Sequence, residues 1–172
     1  AAGDELSYCH YLVDAGRRDI AESRAAASAE RILARSEGHY SPSTGRRLQH
    51  MAMRLRCKMA YCRWNDGRPV EAARLTETLV EGAERMSTDD PVSKSVKLEV
   101  YYSHSVSLSI AGDQHRAVRF STLAHQLALD LVDRDPLAIH AMSTHANILI
   151  AFDPQQALSV LDNCRSMAER RR

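Results

Sequence analysis

The sequence repeats one short opening four times, and this repetition limits the fold more than any other feature. At 16–21, 67–72 and 112–117, a glycine lies five positions before an alanine that begins a helical pattern of apolar residues. The fourth copy, 152–157, keeps the alanine but has phenylalanine at the glycine position. The four alanines are 51, 45 and 40 residues apart. Similar spacings of this size are typical of helix pairs that stack side by side.

The composition favours helices along the whole chain. Of 172 residues, 44% are hydrophobic and 26% are charged, while seven glycines and five prolines are too few for a loop-rich or β-rich protein. Alanine and leucine, which are strong helix formers, are abundant. We therefore predict an all-α fold and a single domain over residues 1–172.

Apolar spacing and turn residues together predict where each helix begins and ends. The predicted helices are 5–15, 19–36, 45–64, 69–86, 92–111, 114–132, 137–151 and 154–170. Asp19 and Asp153 are expected to be N-caps, and the clearest loop is 37–45. Joined in order, these helices form four hairpins, at about 4–36, 44–86, 91–132 and 136–171.

The hairpins resemble tetratricopeptide repeats. The residues that carry the likeness are Gly16 and Ala21, Gly67 and Ala72, Gly112 and Ala117 and, less closely, Asp153 and Ala157. The family has another small residue seven positions after each alanine, where this chain has Ser28, Leu79, Ala124 and Cys164. It has a further small residue seven positions before each turn glycine, where this chain has Cys9, Ala60, Ser105 and, in the fourth hairpin, His145. The family's tryptophan, Leu-Gly and tyrosine positions are mostly absent, and the units exceed its period of about 34 residues.

This resemblance implies a right-handed α-solenoid, similar to the long, divergent repeats of bacterial regulatory proteins. In such a solenoid the first helix of each hairpin lines a concave groove that binds a partner. The family register places eight residues in that groove: Arg54, Cys57, Tyr61, Trp64, Glu99, Tyr102, Val106 and Met142. Tryptophan, tyrosine and arginine commonly anchor protein interfaces. The alternative is an irregular helical bundle with Trp64 in its core.

No sequence pattern indicates catalysis or metal binding. The chain has no phosphate-loop motif, no Gly-x-Ser-x-Gly and no His-Glu-x-x-His. His140 and His145 are five residues apart, as are Cys57 and Cys62. This offset turns two side chains about 140° around a helix, so they cannot share an ion as an i, i+4 pair can. We therefore predict no catalytic residue, no metal and no cofactor.

The charge pattern favours a protein or peptide partner over nucleic acid. The net charge is only +1, and acidic and basic residues are interspersed. One basic run stands out: Arg46, Arg47, Arg54, Arg56, Lys58 and Arg63. It either meets an acidic peptide or a nucleotide phosphate, or only solvates an exposed helix face. The four cysteines are too sparse for a disulfide scaffold, and no long apolar run occurs, so we expect a cytoplasmic protein without membrane contact.

The sequence thus predicts a non-catalytic module that binds a protein or peptide. We expect it to be the sensory or regulatory region of a larger intracellular, bacterial signalling or transcription-regulatory protein, from which this chain is excised. A dimerisation or assembly scaffold is one alternative, because the last helix has more apolar residues than one hairpin needs. Those that would form a homodimer contact or a linker are Leu158, Leu161 and Met167. A small-ligand or enzymatic site around His104 and Arg56 is the other alternative.

Overall fold

The computed structural model describes residues 2–36 and 41–170, and these residues form eight α-helices. The helices are α1 (Ala2–Asp14), α2 (Arg18–Ser36), α3 (Pro42–Asn65), α4 (Pro69–Glu84), α5 (Pro91–Ala111), α6 (Gln114–Leu131), α7 (Leu137–Leu149) and α8 (Pro154–Arg170). No strand occurs in this part of the chain, so the all-α prediction is confirmed. Every predicted helix boundary lies within three residues of the observed one.

Two predictions at helix starts are wrong, namely the loop that extends to Gly45 and the Asp19 cap. Helix α3 begins at Pro42, inside the predicted loop 37–45, because the Ser41 side chain accepts a hydrogen bond from the Thr44 backbone N–H. Residues 37–40 of that loop lie outside the described part of the chain. Asp19 is not an N-cap, since α2 already begins at Arg18 and Asp19 lies in its first turn. The Asp153 cap is confirmed, because its carboxylate accepts the Gln156 backbone N–H at 2.9 Å.

Three of the hairpin turns have the same backbone structure. Gly16, Gly67 and Gly112 have φ angles of +74°, +74° and +92°, which is the left-handed region that glycine adopts without steric cost. In each turn the residue after the glycine donates its backbone N–H to the carbonyl five residues earlier, at 2.7, 2.8 and 2.9 Å. This bond satisfies a helix C-terminus in the way of a Schellman motif. The fourth turn lacks glycine and instead bonds Asp153 N–H to Leu149 O at 2.8 Å.

The repeated small positions are buried in all four hairpins. Ala21, Ala72, Ala117 and Ala157 are each at most 1% exposed. The positions seven residues before the turn are also buried, and their occupants are Cys9, Ala60, Ser105 and His145. Small side chains let helices approach closely, which explains why these positions are filled by small residues so often. His145 is the exception, because its side chain is larger than those of Cys9, Ala60 and Ser105.

The chain divides into two compact units, and the division falls inside α4. The N-terminal unit is Ala1–Leu79, where α1 packs on α2, α2 on α3, and α1 also on α3. The C-terminal unit is Val80–Arg172, where α5 packs on α6, α6 on α7, α7 on α8, and α5 also on α7. The same order of neighbours thus occurs in both units. The prediction of one domain over 1–172 stays a prediction.

Each unit has its own core. In the N-terminal unit, Leu55 and Ala52 of α3 pack with Ala29 and Ile32 of α2 and with Cys9 of α1. In the C-terminal unit, the side chains with no exposed surface come from the end of α4 and from α5, α6 and α7, and they include Ala83, Val96, Leu98, Val100 and Met142. Among the described helices, none combines the length and the apolar character that crossing a membrane requires.

Candidate functional site

Three of the predicted groove residues lie together on one face of α3. Tyr61 is 38% exposed, and Arg54 and Trp64 are half-buried. The rings of Tyr61 and Trp64 meet edge to face, with their centroids 5.3 Å apart and an interplanar angle of 68°. Such a pair holds both rings in one orientation while leaving part of their surface open to solvent. The α3 face, as we call these three residues, can therefore contact a partner.

Two of the predicted groove residues are wrong for that role. Cys57 is 2% exposed and Met142 is 0% exposed, so neither side chain can reach a partner. Met142 is buried because α7 packs against three helices, α5, α6 and α8. Together they cover more of the α7 surface than the partner helix of one hairpin would. Cys57 is buried although its direction around α3 lies between those of Tyr61 and Trp64.

The other three predicted groove residues lie on α5 in the C-terminal unit. Glu99, Tyr102 and Val106 are all half-buried, at spacings of three and four residues along one side of the helix. Their backbone is fixed by neighbouring bonds, such as the one from the Ser105 hydroxyl to Tyr102 O at 2.8 Å. This α5 row is less exposed than the α3 face.

The last helix has an apolar side chain directed to solvent. Helix α8 packs on α7 through Ala157, Val160 and Cys164. Leu158 is 58% exposed, while Leu161 and Met167 are half-buried. The three residues predicted for an oligomer or linker contact therefore differ, and Leu158 has most of the open surface.

An ion-pair network in the N-terminal unit was missed by the sequence reasoning. Arg63 Nε donates to Glu22 Oε1 at 2.7 Å, and Arg68 donates to the other oxygen of the same carboxylate. Arg18 and Arg68 also lie 3.3 and 3.7 Å from Asp66. Arg63 was predicted as part of a basic surface, but here it is engaged by Glu22. The network joins the start of α2 to the turn between α3 and α4.

The Glu22 carboxylate is held in its charged form. Burial by itself would raise its pKa, but the hydrogen bonds and positive charges of Arg63 and Arg68 together lower the pKa below the ordinary value of 4.5. The side chain of Glu22 is only 16% exposed, so these interactions are partly shielded from solvent. The network is thus a structural tie between α2 and the turn after α3.

A buried and a half-buried histidine, His145 and His125, form the corresponding polar contact in the C-terminal unit. The rings of His125 and His145 stack with centroids 4.9 Å apart, and His145 Nδ1 lies 2.9 Å from the Ser121 hydroxyl. That hydroxyl also lies 3.0 Å from Val118 O, and its one proton goes either to this carbonyl or to the ring, so the direction of the His145 bond depends on the tautomer of the imidazole. Burial, helped by His125, lowers the pKa of His145 to about 4. Both rings are therefore neutral near pH 7.

His104 does not contribute to an accessible site. It is 0% exposed, and its ring meets Phe120 edge to face with centroids 4.6 Å apart. A ligand cannot reach it in this structure. Arg56, the other residue of the predicted small-ligand site, is half-buried and lines an open cleft.

An open cleft in the N-terminal unit has Arg56 in its lining. The cleft has a volume of about 370 Å³ and lies between α2, α3 and α4. Its lining residues are Ala26, Ala29, Glu30, Arg56, Met59, Leu75 and Thr78. Apart from Arg56, the sequence reasoning did not identify these residues. The alanines of α2 were read only as packing positions, and no single-helix pattern shows that three helices leave space between them.

Comparison of the chain with protein-family models, with curated proteins and with solved structures gave no match, so the function must be argued from these residues. Within 2–36 and 41–170, no group of three or more histidine, cysteine or acidic side chains is arranged to hold a metal ion. The candidate binding sites are therefore the α3 face, the exposed side of α8 and the cleft.

Proposed function

We propose that the chain is a tetratricopeptide-like module that binds a protein or peptide segment and has no catalytic role. The observation that carries this proposal is the repeated turn. Three hairpins share a left-handed glycine, the same backbone bond after it, and a buried alanine five residues later. Three copies of one local structure at 45- and 51-residue spacings are what a stacked helical repeat requires.

The order of helix contacts supports the same proposal. In a solenoid of hairpins, each helix packs on the next, and first helices also pack on first helices. This is the order in the N-terminal unit, with α1 on α3, and in the C-terminal unit, with α5 on α7. A right-handed solenoid of four antiparallel hairpins is therefore the architecture that we propose.

The α3 face is the binding surface that we favour. Arg54, Tyr61 and Trp64 supply the side-chain types that dominate interface energies, and the edge-to-face ring pair is ordered before a partner arrives. Preorganised rings lose little conformational entropy on binding. The α5 row, Glu99, Tyr102 and Val106, is a secondary contact in this proposal because it is half-buried.

We further propose that partner binding serves regulation within a larger intracellular protein of the signalling or transcription-regulatory kind. A helical repeat deforms when its surface is filled, because each hairpin contacts only its neighbours. Binding can then shift an attached domain between two states if the partner prefers one of them.

Selection from a random peptide library on the immobilised chain tests the binding proposal. We expect enriched peptides whose affinity falls about tenfold or more for Tyr61→Ala and for Arg54→Gln. Tyr11→Ala is the matched control, because Tyr11 is 66% exposed and lies on α1. Circular dichroism would verify that the variants stay helical. Failure to enrich any peptide, or equal binding by Tyr61→Ala, would contradict the proposal.

Assembly through α8 is a second candidate function, favoured by the 58% exposure of Leu158. An exposed leucine beside the half-buried Leu161 resembles the edge of an apolar contact between copies. Light scattering of wild type and Leu158→Glu separates the two functions. A dimer that dissociates in the variant supports assembly, while a wild-type monomer at high concentration removes this candidate.

A further inference from the structure

The cleft in the N-terminal unit is lined by residues from three helices, and on each helix these residues lie on one side. Helix α3 contributes Arg56 and Met59, α4 contributes Leu75 and Thr78, and α2 contributes Ala26 with its neighbours at positions 29 and 30. Residues three or four apart lie on the same side of a helix. The cleft is therefore bounded along its length by one side of each helix.

This cleft is separate from the α3 face. At about 100° per residue, Arg56 and Met59 point roughly 150° away from the mean direction of Arg54, Tyr61 and Trp64 around α3. A molecule in the cleft would contact the opposite side of α3 from a peptide on the α3 face. The inference therefore goes beyond the proposed function and does not depend on it.

Small side chains on α2 leave the cleft open. Ala26 is half-buried and Ala29 is buried, while the next apolar contacts are Met59 and Leu75 across the cleft. Alanine fills much less volume than leucine, so the space between the three helices remains accessible. A volume of about 370 Å³ lies within the range of about 300–1,000 Å³ that is usual for small-molecule sites.

The lining combines an apolar floor with opposite charges. Met59, Leu75 and Ala29 are apolar, whereas Arg56 supplies a guanidinium and Glu30 a carboxylate. Arg56 is half-buried and Glu30 is exposed, so the cation lies in the more shielded position. Arginine binds carboxylates with two parallel hydrogen bonds, and such charge-assisted bonds are stronger when they are shielded from water.

We propose that the cleft binds a small zwitterion with an apolar body, whose carboxylate pairs with Arg56 and whose ammonium pairs with Glu30. Leucine-sized side chains fit the apolar floor of Met59 and Leu75. A free apolar amino acid and a short apolar peptide both have this chemistry, and they differ in the distance between their two charges.

Isothermal titration of the chain with L-leucine, L-methionine and the dipeptide leucyl-leucine tests the proposal and distinguishes the two sources. We expect at least one to bind with a Kd below about 1 mM. N-acetyl-leucine lacks the ammonium and leucinamide lacks the carboxylate, so each should bind about tenfold more weakly than leucine if leucine is the ligand. For the dipeptide, the N-acetylated and amidated forms serve the same purpose.

Variants of the lining residues should match the losses seen with the modified ligands. Arg56→Gln should weaken binding about tenfold, and so should Glu30→Gln. Arg47→Gln is the matched control, since it removes the same charge from an exposed position on the opposite side of α3. Ala26→Leu should fill the cleft and abolish binding, whereas Ala27→Leu, at an exposed position of the same helix, should not.

The outcomes are decisive in either direction. Binding that is lost with Arg56→Gln and kept with Arg47→Gln supports the proposal, and whichever probe binds identifies the source. No heat from any of the three probes at about 10 mM overturns it. Binding that survives both Arg56→Gln and Glu30→Gln also overturns it, because these rim substitutions do not depend on repacking of the core. Loss of peptide binding at the α3 face would leave this result unchanged, so the two proposals fail separately.

Discussion

The two units use the same turn to build their hairpins but different chemistry to hold neighbouring helices together. In the N-terminal unit the tie is the charged network of Glu22, Arg63 and Arg68, at the partly exposed start of α2. In the C-terminal unit the tie is the neutral contact of the buried His145 with the buried Ser121 and the half-buried His125. The two units thus share the backbone structure of the hairpin turn, while the side chains that hold neighbouring helices together differ between them.

This difference implies different responses to acid. The pKa of His145 is lowered to about 4 from an ordinary 6.5, so the unfolded chain binds more protons than the native one between these values. The stability that the neutral ring supports is complete above about pH 6.5 and is lost as pH falls towards 4. The pKa of Glu22 is lowered from 4.5, so the stability from its network is present above that value and is lost only as pH falls below it. The C-terminal unit should weaken first.

The largest expected effect is therefore the acid response of the C-terminal unit. Between pH 7 and pH 4.5 it should lose about 2 kcal/mol of unfolding free energy, because His145 must stay neutral in the fold. Hydrogen exchange of the α6 and α7 amides, compared with those of α2 and α3, measures this selectively. His145→Gln should flatten the pH dependence. His140→Gln, at an exposed position of the same helix, should leave it intact, and equal weakening of both units would contradict the comparison.

Removal of the charged tie should have the next largest effect, and in the other unit. Glu22→Gln should cost about 1–2 kcal/mol, because two charge-assisted bonds from Arg63 and Arg68 are weakened in a partly buried place. Urea unfolding followed by the fluorescence of Trp64, the single tryptophan, reports on the N-terminal unit. Glu71→Gln is the control, since its side chain is 52% exposed and should contribute less than about 0.5 kcal/mol. A similar cost for both variants would show that the network is not special.

The turn glycines should give equal effects in the two units. Gly67→Ala and Gly112→Ala should each cost about 1 kcal/mol, because alanine is strained at φ angles of +74° and +92°. An added Cβ would meet no atom within 4 Å at either site, so the cost comes from the backbone alone. Gly45→Ala is the opposite control, since Gly45 lies within α3 and alanine should stabilise the helix there. Thermal unfolding of the three variants measures these changes in stability. Unequal losses for Gly67→Ala and Gly112→Ala would contradict the claim that the two units share the same turn.

Salt should produce the smallest difference. Raising sodium chloride to about 0.5 M screens the partly exposed charges and should reduce the stability of the N-terminal unit by a few tenths of a kcal/mol. The neutral histidine contact should not respond. Trp64 fluorescence and the α6–α7 amides provide the two readings, and a salt-sensitive C-terminal unit would argue against a neutral contact there.

The elements that the sequence predicted well are those determined by nearby residues. Helices and turns depend on caps, glycines and apolar spacing within a few positions, so their boundaries were close to the observed ones. The bond between Glu22 and Arg63 joins residues 41 positions apart, and no local pattern indicates it. The prediction therefore grouped Arg63 with the basic run and did not foresee its bond to Glu22.

Nearby residues in the sequence also do not show which helices are buried on several sides. Tyr61 and Trp64 lie three residues apart and their rings meet on one face of α3, yet Cys57 of the same predicted row is buried. Met142 is buried because three helices surround α7. The cleft depends on how far apart α2, α3 and α4 pack, which no one of their sequences specifies.

The central claim is that the repeated hairpins present the α3 face to a protein or peptide segment. Because the chain has one tryptophan, a nitrogen–proton correlation spectrum contains a single indole N–H signal, from Trp64. On addition of a peptide selected on the chain, we predict that this signal shifts together with the backbone signals of Arg54 and Tyr61. An indole signal that stays in place while the α8 amides shift would contradict the account.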